Sequence, residues 1–517
     1  MADIDFDTLL ERSVMPQTEA PEDTDELPSR LYPAMDALRA QATIFPAATG
    51  LTARALAETA VAELDRRLGE QINLILHHPA FQAIEASWRG LRFLVAGAET
   101  DSMLKIKVLD IGKRELIRTL RKYRGTAWDQ SPIFAKLYDD EYGQLGGEPF
   151  GLLMGDYEFD HRPEDVQLLS DMAKIAAAAH APFVTGAAPT VMQMTTWQEL
   201  ANPRDLTRIF GTPEYAAWRS MRNDEDTRYL GLCMPRFLGR LPYGARPDPQ
   251  DDFTFEEAAD GVDIGTYLWV NAAFAFAANV ARAFSLYGWC TRIRGIDGGG
   301  IVDGLVACRF ASADGDTDRK CVTEVALSER REAELSRSGF IPLLHRKNTD
   351  YAAFASAQSL QQPQVYDDPA ATANAVLSSR LPYLFATCRF AHYLKCMVRD
   401  KIGSTMSRDQ LKRWLDNWLL DYIDSSPENS TEEWKASHPL QEAYVSLESK
   451  DTAPGQYEAR LFLRPHYQLE GMNVALRLVS RLPSRYSRLP SFLNRTEHLT
   501  EYRLLCQHLR ELFEQGP

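Results

Sequence analysis

Apolar runs alternate with helical periods through the middle of this 517-residue chain. Four runs bounded by turn residues predict strands: KIKVLDIG at 105–112, FGLLMGDYEF at 150–159, APFVTGAAP at 181–189 and YLGLCMPRF at 229–237. Helical periods such as PEDVQLLSDMAKIAAAAH lie between them. Because this alternation is typical of βαβ units, we expect an α/β core whose sheet is mostly parallel and covered by helices.

Helices are predicted on both sides of this region. One runs from Leu51 through Leu76, and a second covers HPAFQAIEASWRGLRFLV. The apolar segment YLWVNAAFAFAANVARAF is interrupted by Asn271, Asn279 and Arg282, so it falls short of a membrane span. We interpret it as a buried core helix.

Towards the C-terminus the pattern changes again. CVTEVAL predicts a strand, and SERREAELSRSG predicts a helix that ends at Gly339. A helical block is expected from about residue 368 to residue 424, in which Ser407 and Gln410 form a plausible capping box. The acidic residues Asp416, Asp421 and Asp424 of this block either face a partner or form an ordinary solvated face.

Two segments near the C-terminus, YEARLFL and MNVALRLVSRL, alternate at period two and predict a pair of strands. The positions that share the apolar face are Tyr457, Ala459, Leu461 and Leu463 in the first strand and Val474, Leu476 and Leu478 in the second. A two-stranded hairpin is marginal by itself in water. We therefore expect this pair to need added strands or a surface on which to pack.

Four regions follow from these patterns. Residues 1–50 form a tail with a short amphipathic element, residues 51–450 an α/β core with the helical block, residues 451–484 the strand pair, and residues 485–517 an extension of unknown role. The apolar residues of the tail that recur at helical spacing are Phe6, Leu9, Leu10 and Val14. A helix this short is unstable alone, so the segment is either a peptide for a partner's groove or a frayed terminus.

Composition narrows the classes of function. The formal net charge of -15 argues against sequence-independent binding to nucleic acid or to an anionic membrane, since both require a concentrated basic surface. Seven scattered cysteines do not form a disulfide framework, which fits a reducing cytoplasm. The N-terminal sequence MADIDFDTLLERS has no basic stretch leading into an apolar core, so we expect no secretory signal and no membrane insertion.

One helix carries a candidate metal site. Cys388, His392 and Cys396 are spaced four residues apart in the predicted helical block. A helix separates the Cα atoms of the two cysteines by roughly 12 Å, so their thiolates cannot meet at one ion on a straight helix. We therefore expect no metal here, and thiols that behave as small buried side chains.

Glycines 298, 300 and 304 in IDGGGIVDG approach a dinucleotide fingerprint. No clear strand leads into them, and the strand-like run LVACRF follows instead of a helix. The segment ADGDTDRK imitates a calcium loop but has Arg319 and Val325 where the loop needs glycine and glutamate, so it predicts a solvated hairpin. Phosphate-loop, zinc-protease and serine-hydrolase motifs do not occur. The sequence thus predicts no cofactor and no enzyme, with a cytosolic nucleotide-binding oxidoreductase using the Gly298 turn as the rival.

Several segments, in order over residues 50–483, resemble the large subunit of the type VI secretion contractile sheath, the TssC/VipB family. They include HPAFQAIEASWRGLRFLV, WRSMRNDEDTRYLGLCMPRFLGRLPYG, GWCTRIRGIDGGG, RLPYLFATCRFAHYLKCMVRDKIGS and FLRPHYQLEGMNVALRLVSRLP. The resemblance implies a structural protein without catalysis or cofactor. It gives the glycine-rich turn a structural role.

The resemblance also implies a set of partners. Members of this family pair with a small sheath subunit (TssB/VipA) and polymerise with further copies around the Hcp inner tube. Contraction drives the tube outward, and the ATPase ClpV disassembles the contracted form. We therefore expect ClpV to engage the peptide carrying Phe6, Leu9, Leu10 and Val14, the C-terminal strands to pair with neighbouring protomers, and the sheath to meet a baseplate. A regulatory paralogue that does not polymerise is the alternative within this family.

Overall fold

The structure is a computed structural model that describes residues 53–202, 205–244, 255–259, 264–307, 309–311, 317–319, 321–401, 406–449, 457–466 and 476–480. Its α-helices are α1 Ala53–Leu76, α2 Pro79–Gly97, α3 Lys113–Arg121, α4 Pro132–Phe134, α5 Pro163–Ala179, α6 Leu206–Phe210, α7 Ala216–Arg222, α8 Ala272–Tyr287, α9 Glu329–Arg337, α10 Pro369–Ser378, α11 Leu381–Asp400, α12 Arg408–Leu420 and α13 Glu432–Ser437. Its strands are β1 Leu153–Phe159, β2 Phe183–Ala187, β3 Leu230–Met234, β4 Phe237–Leu238, β5 Trp269–Val270, β6 Ile301–Val302, β7 Arg309–Ala311, β8 Thr317–Arg319, β9 Phe340–His345, β10 Ala352–Phe354, β11 Leu440–Ser449, β12 Tyr457–Pro465 and β13 Leu476–Ser480.

The largest sheet has six strands in the order β1-β2-β3-β9-β10-β6. Strands β1, β2, β3 and β9 are parallel, with Val184 opposite Gly231 and Leu232 opposite Phe340. Strand β10 is antiparallel to both β9 and β6. The prediction of an α/β protein is confirmed, whereas the sheet is mixed and its parallel part is limited to four strands.

Helices α5 and α8 both pack against β1, β2 and β3. Every residue of β2 and β3 is buried, which is why these strands are continuous apolar runs instead of alternating ones. The buried helix predicted around residue 272 is confirmed as α8. Asn271 begins it, because its side chain accepts a hydrogen bond from the backbone N–H of Ala273 and donates one to the carbonyl of Tyr157.

Two helix boundaries in the second half of the chain were also predicted correctly. Helix α9 is followed by Gly339, whose φ of 89° lies in the left-handed region that favours glycine. Helix α12 begins with a capping box: the Ser407 side chain accepts from the N–H of Gln410, and the Gln410 side chain accepts from the N–H of Ser407. Local sequence therefore determines where these helices start or stop.

Two strand predictions are wrong. Residues 105–112 form no strand, and CVTEVAL contributes only an isolated bridge between Thr323 and Phe237. The neighbouring Glu324 instead binds Arg236 through both carboxylate oxygens, at 2.9 Å and 2.7 Å. An apolar run becomes a strand only where a neighbouring backbone completes its ladder, and sequence periodicity does not report that neighbour.

The chain divides into two compact units. The described part of the first contains α1, the start of α2 and the antiparallel pair β7–β8, with Phe310 opposite Asp318. The pair agrees with the predicted hairpin, whose connecting residues 312–316 lie outside the described residues. Inside this unit the buried Arg240 donates to Glu85 at 2.7 Å and also pairs with Glu257. The second unit contains the six-stranded sheet and all elements from α9 onwards. No helix in the described ranges has the length and apolar character needed to cross a membrane.

Candidate functional site

The C-terminal segments form a sheet of three strands in the order β11-β12-β13, all antiparallel. The predicted strand pair corresponds to β12 and β13, whereas β11 was not predicted. Leu461 lies in the middle strand, opposite Val445 on one side and Leu478 on the other. A third strand gives this hairpin the ladder that two strands alone lack.

One face of strands β11 and β12 packs inwards. The side chains on it that are at most 3% exposed are Val445, Leu447, Ala459, Leu461 and Leu463, and Ala443 is partly buried against the same cluster. They pack in one cluster with Phe390 of α11 and with Leu415 and Leu419 of α12. The sheet is therefore anchored to the helical block through the face that sequence alternation predicted for Ala459, Leu461 and Leu463.

The opposite face of the sheet is open to solvent. The rings of Tyr444 and Phe462 stack there, with centroids 4.8 Å apart, and Arg464 lies 3.5 Å from Glu442. Tyr444 remains 51% exposed. Cross-strand pairs of this kind stabilise a sheet locally by a fraction of a kcal/mol to about 1 kcal/mol.

The outer edge of β11 is closed by the chain itself. The carboxylate of Asp416, on α12, accepts a hydrogen bond from the backbone N–H of Val445 at 3.1 Å. Arg408, at the start of α12, donates to the carbonyl of Leu447. Nearer the start of the strand, Leu440 donates to the carbonyl of Tyr422 at 3.2 Å. Groups that an added strand would need are thus already occupied.

This arrangement corrects the interpretation of the acidic helix. Asp416 and Asp424 neither form a plain solvated face nor face outwards to a partner. Asp416 bonds the sheet, and Asp424 is 5% exposed with its carboxylate accepting from the N–H of Ser426 at 3.0 Å. Asp421, the residue that ends α12, is exposed, as the solvated-face alternative predicts.

The outer edge of β13 differs from that of β11. Within the described ranges β13 pairs with β12 alone, so its other edge carries no neighbouring strand. Leu476 and Leu478 lie on this edge strand, opposite Leu463 and Leu461. Tyr457 begins β12, and Val474, Phe6, Leu9, Leu10 and Val14 lie outside the described residues. The sheet is therefore closed on one side and open on the other.

The residues of the candidate metal site have other roles. Cys388 is 3% exposed, and burial raises the pKa of its thiol. His392 is 2% exposed, and its Nε2 donates to the carbonyl of Ala179 at 2.9 Å. Burial lowers the pKa of His392 to about 3, so the ring is neutral near pH 7. Among the described residues no group of three or more potential ligands could hold a metal ion.

The glycine-rich turn is held by its own backbone. Gly300 donates to the carbonyl of Gly295 at 2.8 Å, and Gly295 donates to the carbonyl of Phe354 at 2.7 Å. A Cβ atom on Gly300 would overlap the Phe354 carbonyl oxygen, and one on Gly299 would overlap that of Arg292. The turn follows helix α8 and leads into the two-residue strand β6, which is not the strand-to-helix context of a dinucleotide site. Close backbone packing explains glycine at 299 and 300.

Comparison with known proteins finds two family matches along the chain. Residues 58–361 match the family described as EvpB/VC_A0108, tail sheath N-terminal domain, and residues 370–482 match the family described as EvpB/VC_A0108, tail sheath gpW/gp25-like domain. The Type VI secretion system sheath protein TssC1 of Pseudomonas aeruginosa is 62% identical over 427 residues, which are 83% of this chain and 86% of that protein.

Among solved structures, a chain of the 6-fold symmetrised baseplate of the anti-feeding prophage is matched over 76% of this chain and 84% of that chain. The identity is 10% and the TM-score 0.33, too low to support an argument about fold or function. The sequence matches are enough by themselves. They cover most of the chain at high identity, and the chain belongs to the TssC/VipB family of type VI secretion sheath proteins.

Proposed function

We propose that this chain is the large subunit of a contractile sheath in the cytoplasm. It pairs with the small sheath subunit, polymerises with further copies around an Hcp tube on a baseplate, and drives the tube outward by contraction. The role is mechanical and involves no catalysis or cofactor. The observation that carries the proposal is the asymmetry of the C-terminal sheet: Asp416 and Arg408 close its β11 edge, while no strand of the described residues covers its β13 edge.

A link between protomers must survive contraction while the bodies of the protomers move. Backbone hydrogen bonds between an edge strand and a strand from a neighbour provide such a link, because they depend little on side-chain packing. The sheet is fixed to its own protomer by the buried face around Leu461. The open edge of β13 can therefore receive a neighbour's strand without disturbing the fold beneath it.

The test is a proline in the edge strand. Arg477→Pro removes a backbone donor from the open edge, because Leu476 and Leu478 turn their N–H groups to β12 and Arg477 turns its own outwards. Arg477→Val, which keeps the donor and has high strand propensity, is the matched control. We expect the proline variant to copurify with the small subunit yet give no tubes in electron microscopy, while the valine variant forms tubes. Normal tubes from the proline variant would show that the hairpin is only a local appendage.

The surface of α1 supports a second part of the proposal, that the chain is not stable in solution alone. Val61, Leu64 and Leu68 follow one another at helical spacing and are 45–56% exposed. Exposed apolar stripes on a soluble protein mark surfaces that a partner covers. We expect low solubility of the chain expressed alone and a clear gain on coexpression with the small subunit. A monodisperse, stable monomer would count against the proposal.

The last part of the proposal concerns the N-terminal tail and its binding to ClpV. Phe6, Leu9, Leu10 and Val14 are the proposed anchors for ClpV, and they lie outside the described residues. In a binding assay with the 1–20 peptide, Leu9→Asp and Leu10→Asp should weaken ClpV binding strongly, because an apolar groove rejects a charge. Thr8→Asp, which adds the same charge beside the anchors, is the control. Equal affinity of all three variants would remove this assignment.

A further inference from the structure

Residues 105–110, KIKVLD, have the composition of a β-strand but pair with no strand among the described residues. Ile106, Val108 and Leu109 favour strands, and the segment contains neither glycine nor proline. It runs from residue 104 to residue 111 without helix, turn or bend. Yet Val108 is 69% exposed and Leu109 is 45% exposed. Single exposed apolar residues are common, but adjacent ones on an extended segment form the kind of contiguous surface that another chain covers.

The backbone of residues 106–110 is also unpaired within the described part of the chain. Among the residues that the structure describes, none forms a hydrogen bond with the N–H or C=O groups of residues 106–110. A solvated loop is expected to leave such groups to water, but a loop is also expected to carry turn residues, and residues 105–109 contain none. A β-prone segment with a free backbone is instead a template for another strand.

The segment is held in place at both ends. Lys105 Nζ contacts both carboxylate oxygens of Glu148, at 2.6 Å and 2.9 Å, and Lys107 pairs with Glu141. Beyond the segment, the carbonyl of Ile111 accepts a hydrogen bond from the hydroxyl of Tyr157 at 2.7 Å. Ordering a mobile loop would cost conformational entropy on binding, and these anchors reduce that cost.

We propose that residues 106–110 accept a β-strand from the small sheath subunit, which pairs with their free backbone groups and covers Val108 and Leu109. This inference rests on the proposed function, since it assigns a surface to the partner named there. It concerns a different element from the C-terminal sheet. Because Lys105 and Lys107 already have carboxylate partners, the added strand is recognised by its backbone and by apolar side chains, with little selection by charge.

Symmetry favours the small subunit over a second copy of this chain that pairs through the same segment. If two copies paired through the same segment, the contact would be isologous and would close a two-fold dimer. A helical sheath needs contacts that continue from one protomer to the next, so such a dimer would compete with assembly. An exposed apolar strand would also promote aggregation before assembly, which a constitutive partner prevents.

The test is amide hydrogen exchange, read by mass spectrometry on the wild-type full chain. It is measured in the isolated complex with the small subunit and in assembled tubes. We expect peptides covering residues 106–110 to be protected at least tenfold over an unstructured peptide already in the isolated complex. Exchange at the unstructured rate in an intact complex would overturn the inference alone. Protection found only in tubes would assign the strand to another copy and overturn it too. Absence of any complex would instead overturn the proposed function.

A second test uses single proline substitutions at positions 106, 107, 108 and 109. Alternate N–H groups of a strand point to the same edge, so only every second proline removes a donor that faces the partner. We therefore expect two of the four variants, at alternate positions, to copurify less with the small subunit than the other two. Val108→Thr, which keeps strand propensity and every donor, should copurify as the wild type does. Four proline variants that all bind normally would contradict the pairing.

Discussion

Asp416 lies on helix α12 and accepts a hydrogen bond from the backbone N–H of Val445, a residue of the outermost strand of the C-terminal sheet, at 3.1 Å. A carboxylate thus takes the place that the carbonyl of a further strand would occupy. The same carboxylate lies 2.6 Å from Lys412, one helical turn away. This one side chain both joins the helix to the sheet and blocks growth of the sheet on that side.

Asp416→Ala leaves the N–H of Val445 without its acceptor. We expect a loss of about 1–2 kcal/mol in the free energy of unfolding, since an unpaired backbone donor is costly and the better helix propensity of alanine offsets only part of it. Lys412→Ala is the control, because it removes the ion pair but keeps the bond to Val445, and should cost under about 0.5 kcal/mol. Urea unfolding measures both. Equal losses would mean that the ion pair, and not the edge bond, is what matters.

His392 makes stability depend on pH. Burial lowers its pKa to about 3 in the folded chain, while an unfolded histidine titrates near 6.5. Between these values the unfolded state binds more protons, so stability is full above pH 6.5 and is lost as the pH falls towards 3. From pH 7.5 to pH 5 this one group should cost about 2 kcal/mol.

His392→Gln keeps a donor that can reach the carbonyl of Ala179 but cannot titrate. Its unfolding free energy should therefore fall less than that of the wild type between pH 7.5 and pH 5, by about the same 2 kcal/mol. All carboxylates are common to both proteins and cancel in the difference. Parallel pH profiles for the two proteins would show that His392 is accessible to protons in the folded state.

The glycine-rich turn offers a matched pair of substitutions. Gly300→Ala would push a methyl group into the carbonyl of Phe354, so we expect a loss of about 3 kcal/mol or more. Gly304 also lies in the same stretch, with a φ of 71°, but has no atom within 4 Å of a would-be Cβ. Gly304→Ala should cost only the left-handed strain of about 1–2 kcal/mol. Thermal unfolding compares them, and equal effects would contradict the packing role assigned to Gly300.

Much of the fold could be predicted because it depends on local patterns. Three or four neighbouring residues are enough to predict the capping box of Ser407 and Gln410 and the helix end at Gly339. The alternation of Ala459, Leu461 and Leu463 likewise reports a sheet with one buried face. Such features need no knowledge of what the rest of the chain does.

The remainder depends on contacts between distant residues. Strand β11 alternates Ala443, Val445 and Leu447 with polar residues, but its flanking charges obscure the pattern, and its pairing with β12 shows only in the fold. The bond from Asp416 to Val445 spans 29 residues and has no sequence signature. For residues 105–110 the strand prediction was wrong for the opposite reason: their strand propensity is real, but the described part of the chain provides no neighbour to complete the ladder.

The central claim is that this chain builds a sheath with a small partner subunit through open strand edges. Electron microscopy of the chain coexpressed with the small subunit tests it most directly. We predict hollow helical tubes from the wild-type pair, and soluble complexes without tubes when Arg477→Pro removes a donor from the outer edge of β13. A wild-type pair that forms a stable complex but no tubes under any assembly condition would contradict the account and would indicate a regulatory paralogue instead.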